Sequence, residues 1–469
     1  MSDASPLAGL DRVHFIGIGG AGMSAIAKVL AARGVDVRGS DLKDSRTTLA
    51  LRALGARVAV GHRAENVGDA NVVVVSSAIP GGNPELRAAR ERGVVVLQRA
   101  QLLAILMRER RGIAVAGTHG KTTTTSMIAV ILQGAGLDPT FLIGGDLNEQ
   151  GTNAHHGTGE WLVAEADESD GSFLWLAPQV AVVTNVEADH LDFYSGEPDI
   201  RAAFAAFAEG LPPDGVLIAC ADDPGAAALL NGHGGRAVAY GLDAGRLRAA
   251  VLERGAIGTR SKVSLDGAEV GELRLRVPGD HNVRNALAAV AAALEAGVPF
   301  DVAAGALASF TGVARRFQMR GAADGVTLVD DYAHHPTEVA ATLAAARERG
   351  WRRVIAVFQP HRFSRTRHMG AALGASLAGA DLAVITDVYG AGEEPEPGVT
   401  GKLVVDGLLA AKAGAQAAYI PSRRVLPGLV VARARPGDLV VTIGAGDVTM
   451  LADEILIGLA EREADRRLG

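Results

Sequence analysis

Short runs of β-branched and aliphatic residues alternate along this chain with longer Ala- and Leu-rich segments of helical period. Glycine-rich turns join many of these pairs, a pattern typical of βαβ units with mainly parallel sheets. The pattern therefore predicts an α/β fold. The predicted strands are VHFIGI (13–18), NVVVVSS (71–77), IAVAG (113–117), WLVAEA (161–166), VAVVTNV (180–186), VLIACA (216–221), TLVDDYA (327–333), RVIAVFQ (353–359), DLAVITDV (381–388) and DLVVTIGAG (438–446).

The pattern starts afresh at two glycine-rich turns, one after Ile18 and one after Ala116. Each turn resembles the first crossover of a separate sheet. A length of 469 residues, at about 150 residues per domain, also indicates about three domains. We take RERRG (108–112) and TGVARRF (311–317) as linkers, although either stretch could instead be a polar surface turn. The predicted domains are 1–108, 109–313 and 314–469.

Composition narrows the class of protein. A formal net charge of -7 and a pI near 6.0 lack the basic footprint that a nucleic-acid partner requires. Cys220 is the only cysteine, which excludes an intramolecular disulfide and fits a reducing compartment. The first residues, MSDASPLAGLDRVHF, do not form a secretory signal, and no run of about 18 apolar residues predicts a membrane span. We expect a cytoplasmic protein without a membrane partner.

The strongest chemical motif is GTHGKTTTT, which follows a predicted strand and opens a helix. Backbone N–H groups of such a loop bind phosphate, a lysine reaches the terminal phosphates, and the next hydroxyl faces Mg²⁺. The full Walker pattern is not met, because Val115 stands where its first glycine belongs, and a shorter G-x-x-G-K-T loop remains. The alternative is a solvated turn before a threonine-rich helix. The predicted ATP-binding residues here are Gly117, Thr118, His119, Gly120, Lys121, Thr122 and Thr123.

Two acidic clusters follow the next strands, where ligands gather in open α/β sheets. Their oxygens suit Mg²⁺, and a neutral histidine can join them. We expect one or two of these side chains to be metal ligands and the others to be N-caps or surface acids. The first cluster contains Glu165, Asp167, Glu168 and Asp170, and the second Glu187, Asp189, His190 and Asp192.

A second glycine-rich loop, GIGGAGMS, matches G-x-G-x-x-G at Gly17, Gly19 and Gly22. Ser40 and Asp41 follow roughly 20 residues later, as in dinucleotide-binding proteins. The physics requires only a diphosphate at a helix N-terminus, so a UDP-sugar fits as well as NAD. A purely structural tight turn is the remaining alternative.

The last third of the chain concentrates histidines and arginines after two strands. DDYAHHPTEV (330–339) and QPHRFSRTR (359–367) each follow a predicted strand. Arginines in such loops bind carboxylates through paired hydrogen bonds, although singly they are more often surface ion pairs. Upstream, PGDHNVRNALAA (278–289) and RRFQ add Asn282, Asn285, Arg315 and Arg316.

Together these motifs resemble the Mur ligases. GIGGAGMS, GTHGKTTTT, EADESDGSF, NVEADHLDFY, DHNVRNA, RRFQ, DDYAHHPTE and QPHRFSRTR occur in this order over most of the chain. The resemblance implies an N-terminal Rossmann-like domain for a UDP-substrate, a central P-loop-type ATPase domain with a mostly parallel sheet, and a C-terminal Rossmann-like domain for the amino acid. The short phosphate loop is the family's own form.

The resemblance is nearest to the members that join L-alanine to the lactyl carboxylate of UDP-N-acetylmuramate through an acyl phosphate, using ATP and Mg²⁺ or Mn²⁺, in peptidoglycan precursor synthesis. Their partners are those three substrates, and a monomer or homodimer is expected. The members that add a preformed tripeptide, the folylpolyglutamate synthases, a nucleotide-sensing protein without turnover and an NAD-dependent oxidoreductase are the alternatives. The stretch 193–210 contains no lysine, so the carbamylated lysine of other Mur ligases is not expected.

The resemblance also implies residue roles. Lys121 would hold the β- and γ-phosphates, and Thr122, Glu165 and His190 would bind metal, with Glu168 as the alternative to Glu165. The remaining ATP-binding residues would be Asn282, Asn285, Arg316 and Asp330 or Asp331. The UDP-substrate would lie on Gly17, Gly19, Gly20, Gly22, Met23, Ser24, Ser40, Asp41, Ser76 and Ser77. L-Alanine and the reacting carboxylate would be bound by Tyr332, His334, His361, Arg362 and Arg365.

Catalysis is expected of Lys121, Glu165, His190, His334, Arg362 and Arg365. Their main work would be to neutralise charge and align the carboxylate with the γ-phosphate. His334 or His361 would be a general base for the amine, or none is needed if the amine binds deprotonated.

Overall fold

The structure, a computed structural model, describes residues 10–148, 151–191, 193–255, 258–348 and 350–468. Within these residues the strands form sheets of five, ten and six members, in chain order. Contacts group the chain into two compact units. Unit 1 comprises Met1–Ala250, Ser261–Arg274 and Val283–Phe310, and unit 2 comprises Val251–Arg260, Leu275–Asn282 and Thr311–Gly469.

The first sheet is a parallel, Rossmann-like sheet in the order β3-β2-β1-β4-β5. All four valines of β4 are buried, because helices cover both faces of such a sheet. Its elements are β1 (Arg12–Ile16), α1 (Ala21–Ala32), β2 (Asp36–Asp41), α2 (Arg46–Ala53), β3 (Arg57–Val60), β4 (Val72–Val75), α3 (Pro84–Glu91), β5 (Val95–Gln98) and α4 (Arg99–Arg108).

The ten-stranded sheet has the order β15-β14-β13-β12-β11-β10-β6-β9-β7-β8. Neighbouring strands are parallel along the stretch β13-β12-β11-β10-β6-β9-β7 of this order. The last pair, β7 and β8, is antiparallel. Its elements are β6 (Arg111–Ala116), α5 (Lys121–Gly134), β7 (Thr140–Leu147), β8 (Thr152–His155), β9 (Trp161–Glu165), β10 (Val180–Val183), α6 (Glu197–Glu209), β11 (Val216–Cys220), α7 (Pro224–Gly232), β12 (Arg236–Gly241), β13 (Leu247–Gly255), β14 (Gly258–Leu265), β15 (Ala268–Leu275), α8 (Asp280–Glu295) and α9 (Phe300–Leu307).

The last sheet has the order β16-β17-β21-β18-β19-β20, with β16 antiparallel to β17 and the other neighbours parallel. Its elements are β16 (Gln318–Ala323), β17 (Val326–Asp331), α10 (Pro336–Arg347), β18 (Arg353–Phe358), α11 (Phe363–Ser376), β19 (Leu382–Ile385), α12 (Lys402–Ala411), β20 (Ala417–Tyr419), α13 (Leu426–Arg433), β21 (Asp438–Ile443) and α14 (Thr449–Leu468). Short 3₁₀ helices occupy Ala64–Val67, Ser172–Trp175, Leu377–Gly379 and Arg423–Val425.

All ten strands predicted from the sequence are present, as β1, β4, β6, β9, β10, β11, β17, β18, β19 and β21. The prediction missed strands of mixed polarity, among them β2 (DVRGSD) and the neighbours β13 to β15. Strands exposed on one face or at a sheet edge lack the continuous apolar run that identified the others.

The two predicted linkers lie between well-formed elements. Of the first, Arg108 ends α4 and Arg111 begins β6, so only Glu109 and Arg110 connect the two. The second lies between α9 and β16, close to the point where unit 2 resumes at Thr311. No helix among the described residues is both long and apolar enough to cross a membrane.

Candidate active site

The phosphate loop runs between the end of β6 at Ala116 and the start of α5 at Lys121. Gly117 and Gly120 have φ angles of 132° and 81°, a region that glycine adopts without a steric penalty. A Cβ on Gly117 would lie 2.1 Å from Thr184 Oγ1, and one on Gly120 would lie 2.6 Å from Asn285 Oδ1. The loop therefore needs glycine at both positions.

Residues after β10 hold this loop in place. Thr118 N donates to Asn185 O at 3.1 Å, and His119 N donates to Asn185 Oδ1 at 2.8 Å. Thr184 Oγ1 donates to His119 O at 2.5 Å. The first N–H groups of α5 have no partner inside their own helix, which makes this end of the helix suitable for phosphate.

Lys121 is the first residue of α5, and its side chain reaches back to the loop and pairs with a buried acid. Its Nζ donates to Gly117 O at 2.6 Å and to Glu168 Oε1 at 2.8 Å. Burial alone would lower the pKa of Lys121, but the charges of Glu168 and Asp167 outweigh burial and raise it. Lys121 therefore keeps its positive charge beside the phosphate-binding backbone.

Glu168 is the acid most closely tied to Lys121. Its side chain is buried, and its Oε2 has no hydrogen-bond partner. Burial raises the pKa of Glu168 to about 7 against the attraction of Lys121. His190, with a φ of 53°, places Nε2 3.7 Å from Glu168 Oε1. Lys121, Glu168 and His190 thus form one cluster.

Glu165 ends β9, as expected, but its Oε1 accepts a hydrogen bond from Gly144 N at 2.5 Å. The geometry therefore favours Glu168 over Glu165 as the acid beside Lys121 and His190, which reverses our preference from the sequence. The sequence favours Glu165 because it directly ends the strand, whereas Glu168, three residues further on, is the acid that is buried beside Lys121.

The other acids of the two clusters have various partners. Asp167 pairs with Arg99 at 3.0 Å, and Asp170 accepts from Ser172 N at 3.1 Å. Glu187 lies 3.6 Å from His119 Nε2, and Asp189 accepts from His190 N at 2.8 Å. Asp192 lies outside the described residues.

A divalent cation fits the Lys121 cluster chemically. A hard cation takes carboxylate oxygens, and a buried Oε2 of Glu168 without a partner is such a donor. His190 adds a nitrogen nearby, and the hydroxyl of Thr122 lies at the start of α5. The donor set matches the metal predicted from the sequence, with Glu168 in the place of Glu165.

The GIGGAGMS loop follows β1 at the middle of the first sheet. Gly17 N and Ile18 N donate to Ser40 O at 2.8 and 3.0 Å, and Gly19 N donates to Asp41 Oδ2 at 2.9 Å. Ser76 and Ser77 follow the neighbouring strand β4 at the same edge. This is the point where the strand order reverses, at which open α/β sheets bind ligands.

Three of the residues predicted to bind the UDP-substrate turn their side chains away. Ser40 is buried and its Oγ donates to Glu85 Oε2 at 2.6 Å, so it supports the loop through its carbonyl instead. Met23 and Ser24 are also buried, because they lie on the inner face of α1. Their assignment to the UDP-substrate stays a prediction, and the burial of the three side chains favours contact through backbone groups.

Glu85, which the sequence did not single out, supports this loop. Glu85 is buried in α3 and accepts from Ser40, from His14 Nε2 at 2.9 Å and from Asn66 Nδ2 at 2.5 Å. Burial opposes ionisation, but these hydrogen bonds hold the pKa of Glu85 at about 2. An isolated glutamate in a helix gives no sequence signal for such a role.

Unit 2 brings together the aromatic residues of the two histidine-rich loops. The His334 ring lies 5.3 Å from Tyr332 and 5.9 Å from His361, centroid to centroid. The ring of Tyr389, which the sequence did not single out, stacks on His361 at 5.7 Å and 12°. The Arg315 and Arg316 guanidinium groups lie 4.8 and 5.2 Å from the Tyr332 centroid. A patch of arginines and aromatic rings results.

His361 and Arg362 lie directly before α11. Arg362 precedes α11 with a φ of 70°, a conformation that costs energy for a residue with a side chain and is often found at functional sites. Burial, and next the charges of His334, Arg365 and Arg362, lower the pKa of His361 to about 3. His361 is therefore neutral near pH 7, and of the two proposed bases His334 is the better candidate.

Of the two aspartates considered for the ribose, Asp330 is fully buried. Thr442 and Thr449 donate to its two oxygens at 2.7 and 2.6 Å, which makes Asp331 the better candidate of the two. Asp331 accepts from Phe317 N at 2.7 Å and Ala333 N at 2.8 Å, and burial raises its pKa to about 6. Asp331 stays as the prediction.

Asn282 and Asn285 both lie near the start of α8 and are buried. Asn285 belongs to unit 1, beside Gly120, whereas Asn282 belongs to unit 2 and donates to Pro278 O at 2.7 Å. Arg316 also belongs to unit 2, with Nη1 3.5 Å from Glu338 Oε1. The structure thus places Asn285 at the phosphate loop.

A Rossmann-like sheet, a sheet with a G-x-x-G-K-T loop beside buried acids, and a third sheet with an arginine-rich edge define an ATP-dependent ligase of three domains. Family comparison agrees: the Mur ligase family, catalytic domain, matches residues 12–111, the Mur ligase middle domain 115–293, and the Mur ligase, glutamate ligase domain, 315–446. The chain belongs to the Mur ligase family.

Several relatives share a narrower name. The UDP-N-acetylmuramate–L-alanine ligase of Saccharopolyspora erythraea is 52% identical, covering 99% of this chain and 96% of the relative, and that of Rubrobacter xylanophilus is 51% identical, covering 96% and 100%. The crystal structure of UDP-N-acetylmuramate-alanine ligase from Thermotoga maritima matches with a TM-score of 0.81 and 30% identity, over 97% and 99% of the two chains. A murein peptide ligase from Psychrobacter arcticus matches with a TM-score of 0.72 and 27% identity, over 96% and 98%.

Proposed function

We propose that this chain joins L-alanine to the lactyl carboxylate of UDP-N-acetylmuramate, with conversion of ATP to ADP and phosphate, in peptidoglycan precursor synthesis. The observation that carries the proposal is the cluster of Lys121, Glu168 and His190 next to the phosphate loop. The chain also shares about half of its residues with L-alanine ligases over nearly its full length. We place the enzyme in the cytoplasm, where its nucleotide substrates are made.

The carboxylate of the UDP-substrate attacks the γ-phosphorus of ATP, and the bond to the β–γ bridging oxygen breaks. The amine of L-alanine then attacks the acyl phosphate, phosphate leaves, and the amine proton is lost. Carboxylate and triphosphate repel each other, so positioned cations supply most of the catalysis. Lys121 moves from Glu168 to the terminal phosphates and neutralises them.

Thr122, Glu168 and His190 would hold Mg²⁺, for which Mn²⁺ could substitute. When bound, this ion supplies charge neutralisation for the phosphates. Glu165 accepts a hydrogen bond from Gly144 N in β7 and remains the alternative metal ligand. The N–H groups at the start of α5 bind phosphate, and Asn285 beside Gly120 faces the adenine.

The UDP-substrate binds at the glycine-rich loop, through Gly17, Gly19, Gly20 and Gly22 with Asp41, Ser76 and Ser77. Asp41 also supports the loop, because its Oδ2 accepts a hydrogen bond from Gly19 N. The amino acid binds at the patch of Tyr332, His334, His361, Arg362 and Arg365, where neutral His361 accepts a hydrogen bond. Domains at 1–108, 109–313 and 314–469 carry these sites, in a monomer or homodimer.

Phosphate release tests this proposal. ATP, Mg²⁺ and UDP-N-acetylmuramate are supplied with L-alanine, with the tripeptide L-Ala-γ-D-Glu-diaminopimelate, or without an amine. Release that requires L-alanine, with an amide product of matching mass, is expected. Release with the tripeptide alone would assign the chain to the murein peptide ligases, and release with neither would refute both acceptors.

A further inference from the structure

Arg99 lies against the substrate loop, although no sequence motif points to it. It is the first residue of α4, directly after β5, and its side chain is 21% exposed. A Cβ built on Gly22 would lie 2.7 Å from Arg99 Nη1 and 3.1 Å from its Cδ. Arg99 therefore occupies the space that a side chain at residue 22 would take.

Because of this contact, the last glycine of G-x-G-x-x-G has a different structural role here. In dinucleotide-binding folds that glycine lets the helix pack closely on a strand. Here the nearest atoms to the missing side chain of Gly22 all belong to the arginine. Gly22 thus makes room for a guanidinium group in the first turn of α1.

A cation at that position strengthens the attraction of the helix start for anions. The first turn of a helix carries partial positive charge from N–H groups without intrahelical partners. Arg99 adds a full positive charge there, which raises the local affinity for an anion with several oxygens. Arg99 Nη2 also donates to Asp167 Oδ2 at 3.0 Å, whereas Nη1 is the guanidinium nitrogen next to Gly22, 2.7 Å from the built Cβ.

Asp167 connects this arginine to the ATP loop. Burial would raise the pKa of Asp167, but the charges of Arg99 and Lys121 together lower it. The adjacent Glu168 pairs with Lys121. Positive Arg99, negative Asp167, positive Lys121 and negative Glu168 thus follow one another from the substrate loop to the phosphate loop. Asp167 holds the guanidinium through Nη2, and Nη1 lies beside Gly22.

We propose that Arg99 binds the diphosphate of the UDP-linked substrate at the first turn of α1. The inference rests on the proposed function for the identity of that substrate. The planar guanidinium presents parallel N–H donors to phosphate oxygens, which a lysine cannot reproduce. Arg99 is thus a substrate-binding residue, and Asp167 is its positioning residue.

Binding of UDP and of uridine, without ATP or Mg²⁺, tests the proposal. Arg99→Met is expected to weaken UDP binding by about 10- to 100-fold, the range of a charge-assisted contact, and to leave uridine binding unchanged. Arg99→Lys, which keeps the charge, should fall between. The control Arg108→Met removes an exposed arginine from the same helix and should change the Kd of UDP by less than about twofold.

Asp167→Asn separates a direct contact from a structural ion pair. If Arg99 itself binds the diphosphate, Asp167→Asn removes only the partner that positions it, so UDP affinity should fall by less than in Arg99→Met. Equal losses for UDP in Asp167→Asn and Arg99→Met, equal losses for UDP and uridine, or wild-type UDP affinity in both Arg99 variants would overturn the proposal. If the wild-type enzyme binds UDP through Arg99 but makes no amide, the proposed function fails and this inference stands.

Discussion

The pair of Lys121 and Glu168 predicts that one acid both restrains the lysine and supports metal binding. Replacing Glu168 with Gln removes the negative charge 2.8 Å from Lys121 Nζ and keeps the size of the side chain. The ammonium group is then available to phosphate at a lower cost. Metal-free ADP or ATP should therefore bind more tightly to Glu168→Gln than to the wild-type enzyme.

The size of this effect follows from the bond that is lost. A hydrogen bond to a charged group contributes about 1.5 to 3 kcal/mol, and 1.4 kcal/mol corresponds to tenfold in affinity. Gln retains a neutral acceptor, so the lower end applies and we expect about tenfold tighter binding. In the presence of Mg²⁺ the order reverses, and turnover falls by about 100-fold or more because a metal ligand is gone.

The pH dependence provides a second signature. Burial raises the pKa of Glu168 to about 7, so its carboxyl is largely protonated at pH 6 and ionised at pH 8. The metal-free affinity of the wild-type enzyme should therefore fall as the pH rises through 7. The same affinity in Glu168→Gln should change little between those pH values.

Isothermal titration of ADP with and without Mg²⁺ measures these affinities, and phosphate release measures turnover. Glu165→Gln is the matched comparison, because it removes a charge that also acts on Lys121 but whose carboxylate is bonded to Gly144 N, so a smaller gain in metal-free affinity is expected. Our reasoning would be refuted if Glu168→Gln bound metal-free ADP no better than wild type and kept its response to Mg²⁺ while Glu165→Gln lost it.

Three further predictions concern the loops and their support. Gly117→Ala should reduce turnover by at least about 100-fold, because its Cβ would overlap Thr184 Oγ1 at 2.1 Å; phosphate release is the assay, and near-normal turnover would contradict the loop geometry. Lys121→Ala should abolish turnover yet leave the Kd of UDP-N-acetylmuramate nearly unchanged, measured by titration, and loss of both in a folded variant would refute separate sites. Glu85 has a pKa of about 2 when folded against an ordinary 4.5, so it stabilises the protein above pH 4.5 and this contribution disappears as the pH falls toward 2. Glu85→Gln should remove about 3 kcal/mol from the opening free energy of β1 near pH 7, measured by hydrogen exchange, and should flatten its acid dependence; equal protection in both proteins would contradict this.

Much of the fold and part of the site could be predicted from the sequence. Buried parallel strands are continuous apolar runs, so β4 (VVVV) and β18 (RVIAVF) were evident. Phosphate loops are local, and the glycines and lysine of GTHGKTTTT act through backbone that they shape themselves. Mixed strands such as β2 were missed because their pattern reflects neighbours distant in sequence.

The βαβ pattern, the two glycine-rich loops and the role of Lys121 could be predicted from local sequence, because each depends on residues close together along the chain. Three other features became visible in the folded chain alone: Glu168 is the acid bonded to Lys121, Ser40 turns inward to Glu85, and Arg99 fills the space at Gly22. The distant partners in these contacts lie tens of residues apart, and the direction of a side chain after a strand depends on a turn that local pattern does not specify.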